Sequence, residues 1–268
     1  MIAIAHFIAI SLYIAAAGLA ALPFARRVRA PVSGVIAVLA MGAVVHSVGL
    51  AQLTVQSGSA SLTGLGPALS FAGFVLVVAL IVVETFAHEV SLTLAAAPLA
   101  ALMTTAGNVT GLHPLLTPSG SRASWLVLHI VLSFAGIAAY ATAAAAGTMY
   151  LVARRELKSA KFGAIYRFFP PLDTLDRVNH FASIAGFLGL TLGVALAAAY
   201  SIAYRRVVMP QIVWGMGAWI CISALALGRI LGGWQARRAA LMSAVTFASV
   251  IVLYIVFRVA VLNRGQFL

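Results

Sequence analysis

The chain has 268 residues, of which 63% are hydrophobic and only 8% are charged, and its mean hydropathy is +1.08. Soluble domains carry about 25% charged residues, so this composition excludes an ordinary soluble enzyme and predicts an all-α, polytopic membrane helix bundle. The net charge of +12 would favour nucleic-acid binding only if the basic residues were pooled on one surface; because they lie in short breaks between apolar runs, we expect no nucleic-acid partner.

Apolar runs near the ~20 residues that cross a lipid bilayer follow one another along the chain. They predict a single integral membrane domain, residues 1–268, with about eight transmembrane helices. The predicted spans are 2–24, 32–53, 67–87, 90–106, 124–152, 179–203, 211–231 and 239–262. The boundary between the third and fourth spans is the weakest, because only His88 and Glu89 separate them. We do not expect the first run to be a cleavable signal peptide, since its arginines follow the apolar stretch.

The basic residues in the breaks predict the orientation, because cytoplasmic loops hold an excess of Lys and Arg. If the 25–31 break is inside, the inner breaks hold eleven basic residues: Arg26, Arg27, Arg29, Arg154, Arg155, Lys158, Lys161, Arg167, Arg177, Arg237 and Arg238. The outer breaks hold four: Arg122, Arg205, Arg206 and Arg264. This distribution predicts a multi-pass membrane protein with both termini outside the cytoplasm.

The break at 153–178 is the longest and most polar, and a Pro-Pro pair interrupts it before the next helix. Asp173 or Thr174 is predicted to be the N-cap of that helix, where a side-chain oxygen accepts a free backbone N–H. Asp176 suits the first turn, where the helix dipole favours anions. We therefore expect both aspartates to serve the start of the helix.

The sequence lacks the residues that several kinds of catalytic or redox site require. Cys221 is the only cysteine, which excludes an intrachain disulfide, a CxxC redox pair and a CxxCH haem-attachment site. The motifs HExxH, GxSxG and the P-loop are missing, and Glu84 is the only acid clearly within a predicted span. We therefore expect no catalytic residues and no enzymatic activity.

Histidines within the predicted spans are the main functional candidates, because ionisable side chains are costly inside a bilayer. His46 has Gly42 and Gly49 on its helix face. Two interpretations stay open: a hydrogen-bonded histidine at a tight helix–helix contact, or an axial haem ligand with glycines that admit a flat macrocycle.

His129 lies about one turn below the predicted outer surface, and Trp125 and Ser133 share its helix face at i−4 and i+4. Tryptophan alone is common at the membrane interface. His180 has Ser183 on its face and lies at the inner side, where it is either an interfacial residue or a further haem-binding candidate.

Three stretches of the second half carry a family resemblance. They are "WLVLHIVLSFAGIAAYATAAAAGTMYL", "PPLDTLDRVNHFASIAGFLGLTLGV" and "VWGMGAWICISALALGRILGGWQARRAAL". Residues 124–262 resemble the cytochrome c assembly protein family, the CcsA-like integral membrane haem-handling proteins. The first half is similar only in its hydrophobic pattern and His46.

The resemblance implies haem as cofactor and proteins of cytochrome c biogenesis or haem synthesis as partners, beside the lipid bilayer. His129 matches the family's outer histidine and His46 its first membrane-buried histidine, so these two are the predicted ligands of haem iron. The family mate of His129 is missing, so the position opposite it is open to His46, which we favour, or to His6, His113, a non-histidine group or water. Trp125 and His180 complete the predicted haem-binding set.

The sequence also departs from the family pattern. "YRRVVMPQIV" stands where a tryptophan-rich loop should precede Trp214, the second buried histidine expected near Leu227 is missing, and "VLNRGQFL" lacks the last outer histidine. With these departures the chain resembles the short branch of the family, the HemX- or YpjD-like proteins of the bacterial inner membrane. Two functions follow: a haem-handling protein of cytochrome c-type biogenesis or haem homeostasis, or a membrane scaffold or regulatory protein that has lost haem and acts through a protein partner.

Overall fold

The computed structural model describes residues 1–25, 31–57, 62, 64–113, 120–159, 169–205, 209–234 and 236–262. Over these residues the chain is entirely helical, with no strand, which confirms the predicted all-α fold. The helices are α1 (Ile2–Ala20), α2 (Leu22–Ala25), α3 (Val32–Ser57), α4 (Leu65–Ala87), α5 (Thr93–Thr110), α6 (Ser121–Ser159), α7 (Leu172–Tyr204), α8 (Met209–Ile230) and α9 (Ala236–Leu262).

Seven of these helices are long and apolar enough to cross a membrane: α1, α3, α4, α6, α7, α8 and α9. Each corresponds to one predicted span. The remaining predicted span, 90–106, is α5, an 18-residue helix that contains Pro98 and ends in the polar segment around Asn108. Its threonines, proline and asparagine explain why it is the least membrane-like of the long helices that the structure describes.

The chain forms two compact units, and the first comprises Met1–Val127 with Phe162–Pro170. In it, α1 packs on α3 and α5, and α4 packs on α3 and α5. The contact between α4 and α5 is made through glycines: a Cβ on Gly107 would lie 2.7 Å from the Gly66 carbonyl oxygen. Glu84 caps α5, because its carboxylate accepts the Thr93 backbone N–H at 2.7 Å and the Thr93 hydroxyl at 2.6 Å.

The second unit comprises Leu128–Lys161 and Pro171–Leu268. Here α6 and α7 also meet at glycines, since a Cβ on Gly136 would lie 2.6 Å from the Leu190 backbone nitrogen. Small residues of this kind are the usual interface between membrane helices. Trp219 of α8 donates its indole N–H to the Thr191 hydroxyl at 2.9 Å, which ties α8 to α7.

The predicted N-cap of α7 is wrong. The helix begins at Leu172, its N-cap residue is Pro171, and no side chain caps it. The Pro171 backbone (φ −53°, ψ 146°) supplies the non-helical conformation that an N-cap requires, so the helix starts ahead of both aspartates. Asp176 instead forms an ion pair with Arg229 of α8 at 2.6 Å, and Asp173 forms an exposed pair with Arg177 on its own helix at 3.3 Å.

Candidate functional site

The predicted ligand His46 lies in a buried polar network within the first unit. Both of its ring nitrogens are engaged: Nδ1 lies 3.0 Å from the Tyr13 hydroxyl, and Nε2 lies 2.9 Å from the Ser70 hydroxyl. The same Ser70 hydroxyl is 2.8 Å from Nε2 of His6, whose Nδ1 is 2.9 Å from the Ile2 carbonyl oxygen. His6, His46 and Ser70 are completely buried, so the network joins α1, α3 and α4 out of contact with solvent.

The direction of each hydrogen bond follows from the one group that can only accept. The Ile2 carbonyl requires Nδ1 of His6 to donate, so in the neutral ring Nε2 accepts the Ser70 hydroxyl proton. Ser70 then accepts from Nε2–H of His46, and Nδ1 of His46 accepts the Tyr13 hydroxyl proton. Every polar atom of the four side chains thus finds a partner with both imidazoles neutral, the form that burial away from water favours.

The glycines beside His46 make room for this network. A Cβ on Gly42 would lie 2.7 Å from the Tyr13 ring, and a Cβ on Gly49 would lie 2.9 Å from the His6 ring. The space that the sequence predicts on this face is therefore filled by two side chains of α1. An axial haem ligand needs a nitrogen lone pair, so His46 would hold iron only after giving up one of its hydrogen bonds.

Sequence reasoning missed Tyr13, His6 and Ser70 as members of this site. One signal was present: His6 and Tyr13 are seven residues apart, which places them on one face of α1. Nothing in the sequence indicates that this face packs on α3, or that Ser70 of α4 lies between the two imidazoles.

His129 lies in the second unit in a different environment. Its ring is partly exposed, and Nδ1 donates to the carbonyl oxygen of Gly193 on α7 at 2.8 Å. This bond leaves Nε2 as the nitrogen that carries a lone pair, and no described residue bonds to it. A histidine that binds a metal almost always donates its other N–H to a carbonyl or carboxylate. His129 therefore has the tautomer and the fixed ring that an axial ligand requires.

A close approach of α6 and α7 makes the His129 bond possible. A Cβ on Gly193 would lie 2.5 Å from the Ser133 hydroxyl oxygen, so a larger residue there would push the two helices apart. The family-like Gly-rich stretch of α7 thus positions His129 as well as packing the helices.

The other two predicted residues are also partly exposed. Trp125 lies one turn before His129 on α6. His180 lies near the start of α7, with its ring edge-on to Phe181 at a centroid distance of 5.4 Å. Thirteen residues of α7 separate His180 from Gly193, which is about 20 Å along the helix. His129 and His180 are therefore too far apart to hold one iron.

No group of three or more His, Cys, Asp or Glu side chains is placed to hold a metal ion in the part of the chain that the structure describes. A bound metal here would have to depend on one or two histidines. Haem iron takes one or two ligands from the protein, because the macrocycle supplies the others.

Comparison with known proteins agrees with the sequence resemblance and extends it. A family model described as Cytochrome C assembly protein matches residues 32–262, from the start of α3 to the end of α9. The match includes His46, His129 and His180 and leaves out α1. No curated protein and no solved structure matches the chain. Since the matched segment is well over half of the sequence, the chain belongs to the cytochrome c assembly protein family.

Proposed function

We propose that this protein binds and handles haem in the bacterial inner membrane, as a non-catalytic component of cytochrome c-type biogenesis or haem homeostasis. Membership of the family indicates a role in cytochrome c biogenesis. The observation that supports haem binding is His129, whose Nδ1–H is fixed on a backbone carbonyl at 2.8 Å while Nε2 has no hydrogen-bond partner among the described residues.

In this proposal His129 holds the iron through Nε2, and Gly193 keeps the imidazole oriented through Nδ1. Trp125, four residues earlier on the same helix face, adds aromatic surface beside the imidazole. Haem itself would supply an iron centre whose redox and ligand state the surrounding helices control. His46, the other predicted ligand, could bind an iron only after exchange of its bond to Tyr13 or to Ser70.

A second function is favoured by a specific observation, the complete hydrogen bonding of His46. In this structure both ring nitrogens of His46 are hydrogen-bonded and its side chain is completely buried, so the residue serves the packing of the helices. The chain also lacks the tryptophan-rich loop of the family. In this alternative the protein is a membrane scaffold or regulator that acts on another cytochrome c biogenesis or haem-synthesis protein without binding haem.

Absorption spectra of protein purified from haem-replete cells distinguish the two functions. We expect a Soret band for the wild type and a loss of most of that band in His129→Ala. His88→Ala is the control, because it removes an exposed histidine in the turn between α4 and α5 that is not among the predicted haem-binding residues. Colourless wild-type protein would show that the scaffold function is the correct one. Equal Soret intensity in His129→Ala and His88→Ala at equal expression would show that His129 does not hold the iron.

A further inference from the structure

A basic cleft lies at the C-terminal end of α6 within the second unit. Its volume is about 460 Å³, and it is lined by Leu151, Arg154, Arg155, Lys158 and Arg237. The first four residues follow the spacing i, i+3, i+4 and i+7, which places them on one face of α6. The fifth comes from the first turns of α9, so two helices build the cleft.

A buried polar contact fixes α9 against α6 close to this cleft. The side-chain amide of Asn179 on α7 donates to the Ala143 carbonyl at 2.6 Å and to the Ser243 hydroxyl at 2.7 Å. A Cβ on Gly147 would lie 2.8 Å from the Ala240 carbonyl oxygen, so the backbones of α6 and α9 approach each other closely here. The position of Arg237 beside the α6 arginines is therefore set by packing and not by chance contact of long side chains.

The four cations of the cleft lack a counter-charge. The ion pairs of the described chain engage other arginines, Arg177 and Arg229, and no carboxylate lines the cleft. Glu156 lies two residues after Arg154, about 200° around the helix and away from this face. Like charges at neighbouring helical positions repel one another, so an anion in the cleft would relieve the repulsion among these side chains.

The cleft also lies where two membrane spans end. Residues 123–153 of α6 and 239–257 of α9 contain no Asp, Glu, Lys or Arg. The cations follow the first stretch and precede the second in two adjacent helices, so they meet at one membrane surface. This is the surface that the distribution of basic residues predicts to be cytoplasmic, and it is the leaflet that is rich in anionic lipid. Leu151 adds an apolar wall that a soluble anion does not require.

We propose that this cleft binds the phosphate headgroup of an anionic phospholipid, with Arg154, Arg155 and Arg237 around the phosphate and Lys158 at the rim. Arginine suits this task, because its planar guanidinium pairs with phosphate oxygens in a bidentate manner. The site lies in the second unit at the opposite end of α6 from His129, so it does not depend on haem binding.

The test is a titration of the full-length protein in neutral detergent with fluorescently labelled phosphatidylglycerol. We expect saturable binding that Arg154→Gln/Arg155→Gln weakens by about 30-fold, on the scale of juxtamembrane basic residues. Arg177→Gln/Arg238→Gln is the matched control, because it removes the same charge from the same unit outside the cleft, and it should retain wild-type binding. Arg154→Lys/Arg155→Lys keeps both positive charges, so its binding of the labelled lipid shows whether a folded variant retains the site.

Three results would overturn the proposal. Equal losses in the two glutamine variants would show that net charge attracts the lipid and that the cleft does not. Full displacement by millimolar inorganic phosphate would assign the site to a soluble anion. Labelled phosphatidylcholine that binds as tightly as phosphatidylglycerol would show that the headgroup charge is not recognised. Loss of binding in the Arg154→Gln/Arg155→Gln variant alone, at a wild-type melting temperature and without competition from phosphate, supports a lipid site.

Discussion

Replacing Ser70 with alanine removes the hydroxyl that joins the two buried imidazoles. The substitution keeps the Cβ atom and adds no bulk, so the packing of α4 on α5 is preserved. Two hydrogen bonds disappear, at 2.8 Å to His6 and 2.9 Å to His46, and the Nε2 atoms of both rings are left without a partner.

The expected cost follows from the environment of these bonds. An unsatisfied buried polar group costs about 1–3 kcal/mol in a soluble protein. Between membrane helices a hydrogen bond contributes only about 0.6 kcal/mol on average and at most about 1.7 kcal/mol, because the unfolded chain in the membrane finds other partners. Two lost bonds should therefore lower the free energy of unfolding by roughly 1–3 kcal/mol.

Unfolding by denaturing detergent, followed by circular dichroism, measures this loss. Ser47→Ala is the control, because Ser47 is exposed and bonds only to the Val44 carbonyl of its own helix at 2.7 Å. We expect no measurable change in that variant. If Ser70→Ala unfolds at the same detergent concentration as Ser47→Ala, the network does not stabilise the first unit and our account of His46 fails.

Two further predictions concern the second unit and the orientation of the chain. Asp176→Asn should lower the free energy of unfolding by roughly 2–3 kcal/mol. This is less than the about 3–5 kcal/mol of a fully buried pair, because Arg229 is 3% exposed while Asp176 is 30% exposed. Asp173→Asn should change the free energy of unfolding little, and equal detergent-unfolding curves for the two variants would contradict the assigned pairing. A phosphatase reporter, active only outside the cytoplasm, should be active when fused after Leu268 and inactive when fused after Ala160; the reverse pattern would invert the predicted orientation.

The helices could be predicted from the sequence because membrane spans are specified locally. A run of about 20 apolar residues must be helical in a bilayer, whatever packs beside it. The weakest boundary was the one between the third and fourth predicted spans, and the fourth is the polar and proline-containing α5, which falls short of a typical span. The end of α6 was not predicted, because the basic residues from 154 onward were assigned to a break, whereas the helix continues to Ser159.

The partners of the polar side chains could not be predicted, because they lie on other helices. Asp176 precedes Arg229 by 53 residues, and its predicted position in a first turn made a role at the helix start the simpler interpretation. The glycines beside His46 correctly indicated empty space on that face, but not that Tyr13 and His6 of α1 fill it. For His129 the sequence identified the residue, while the Gly193 carbonyl that fixes its tautomer became visible only in the fold.

The network around Ser70 has a consequence for how the protein is made. All of its members lie within the first 70 residues, so α1, α3 and α4 can satisfy their buried polar atoms before the ribosome has synthesised α6. The Asn179 contact of the second unit, by contrast, needs Ser243 on α9 and forms only when translation is nearly finished. The N-terminal helices can thus reach their final arrangement during insertion, while the Asn179 amide, which can already donate to Ala143 of α6, lacks its second acceptor until the last helix arrives.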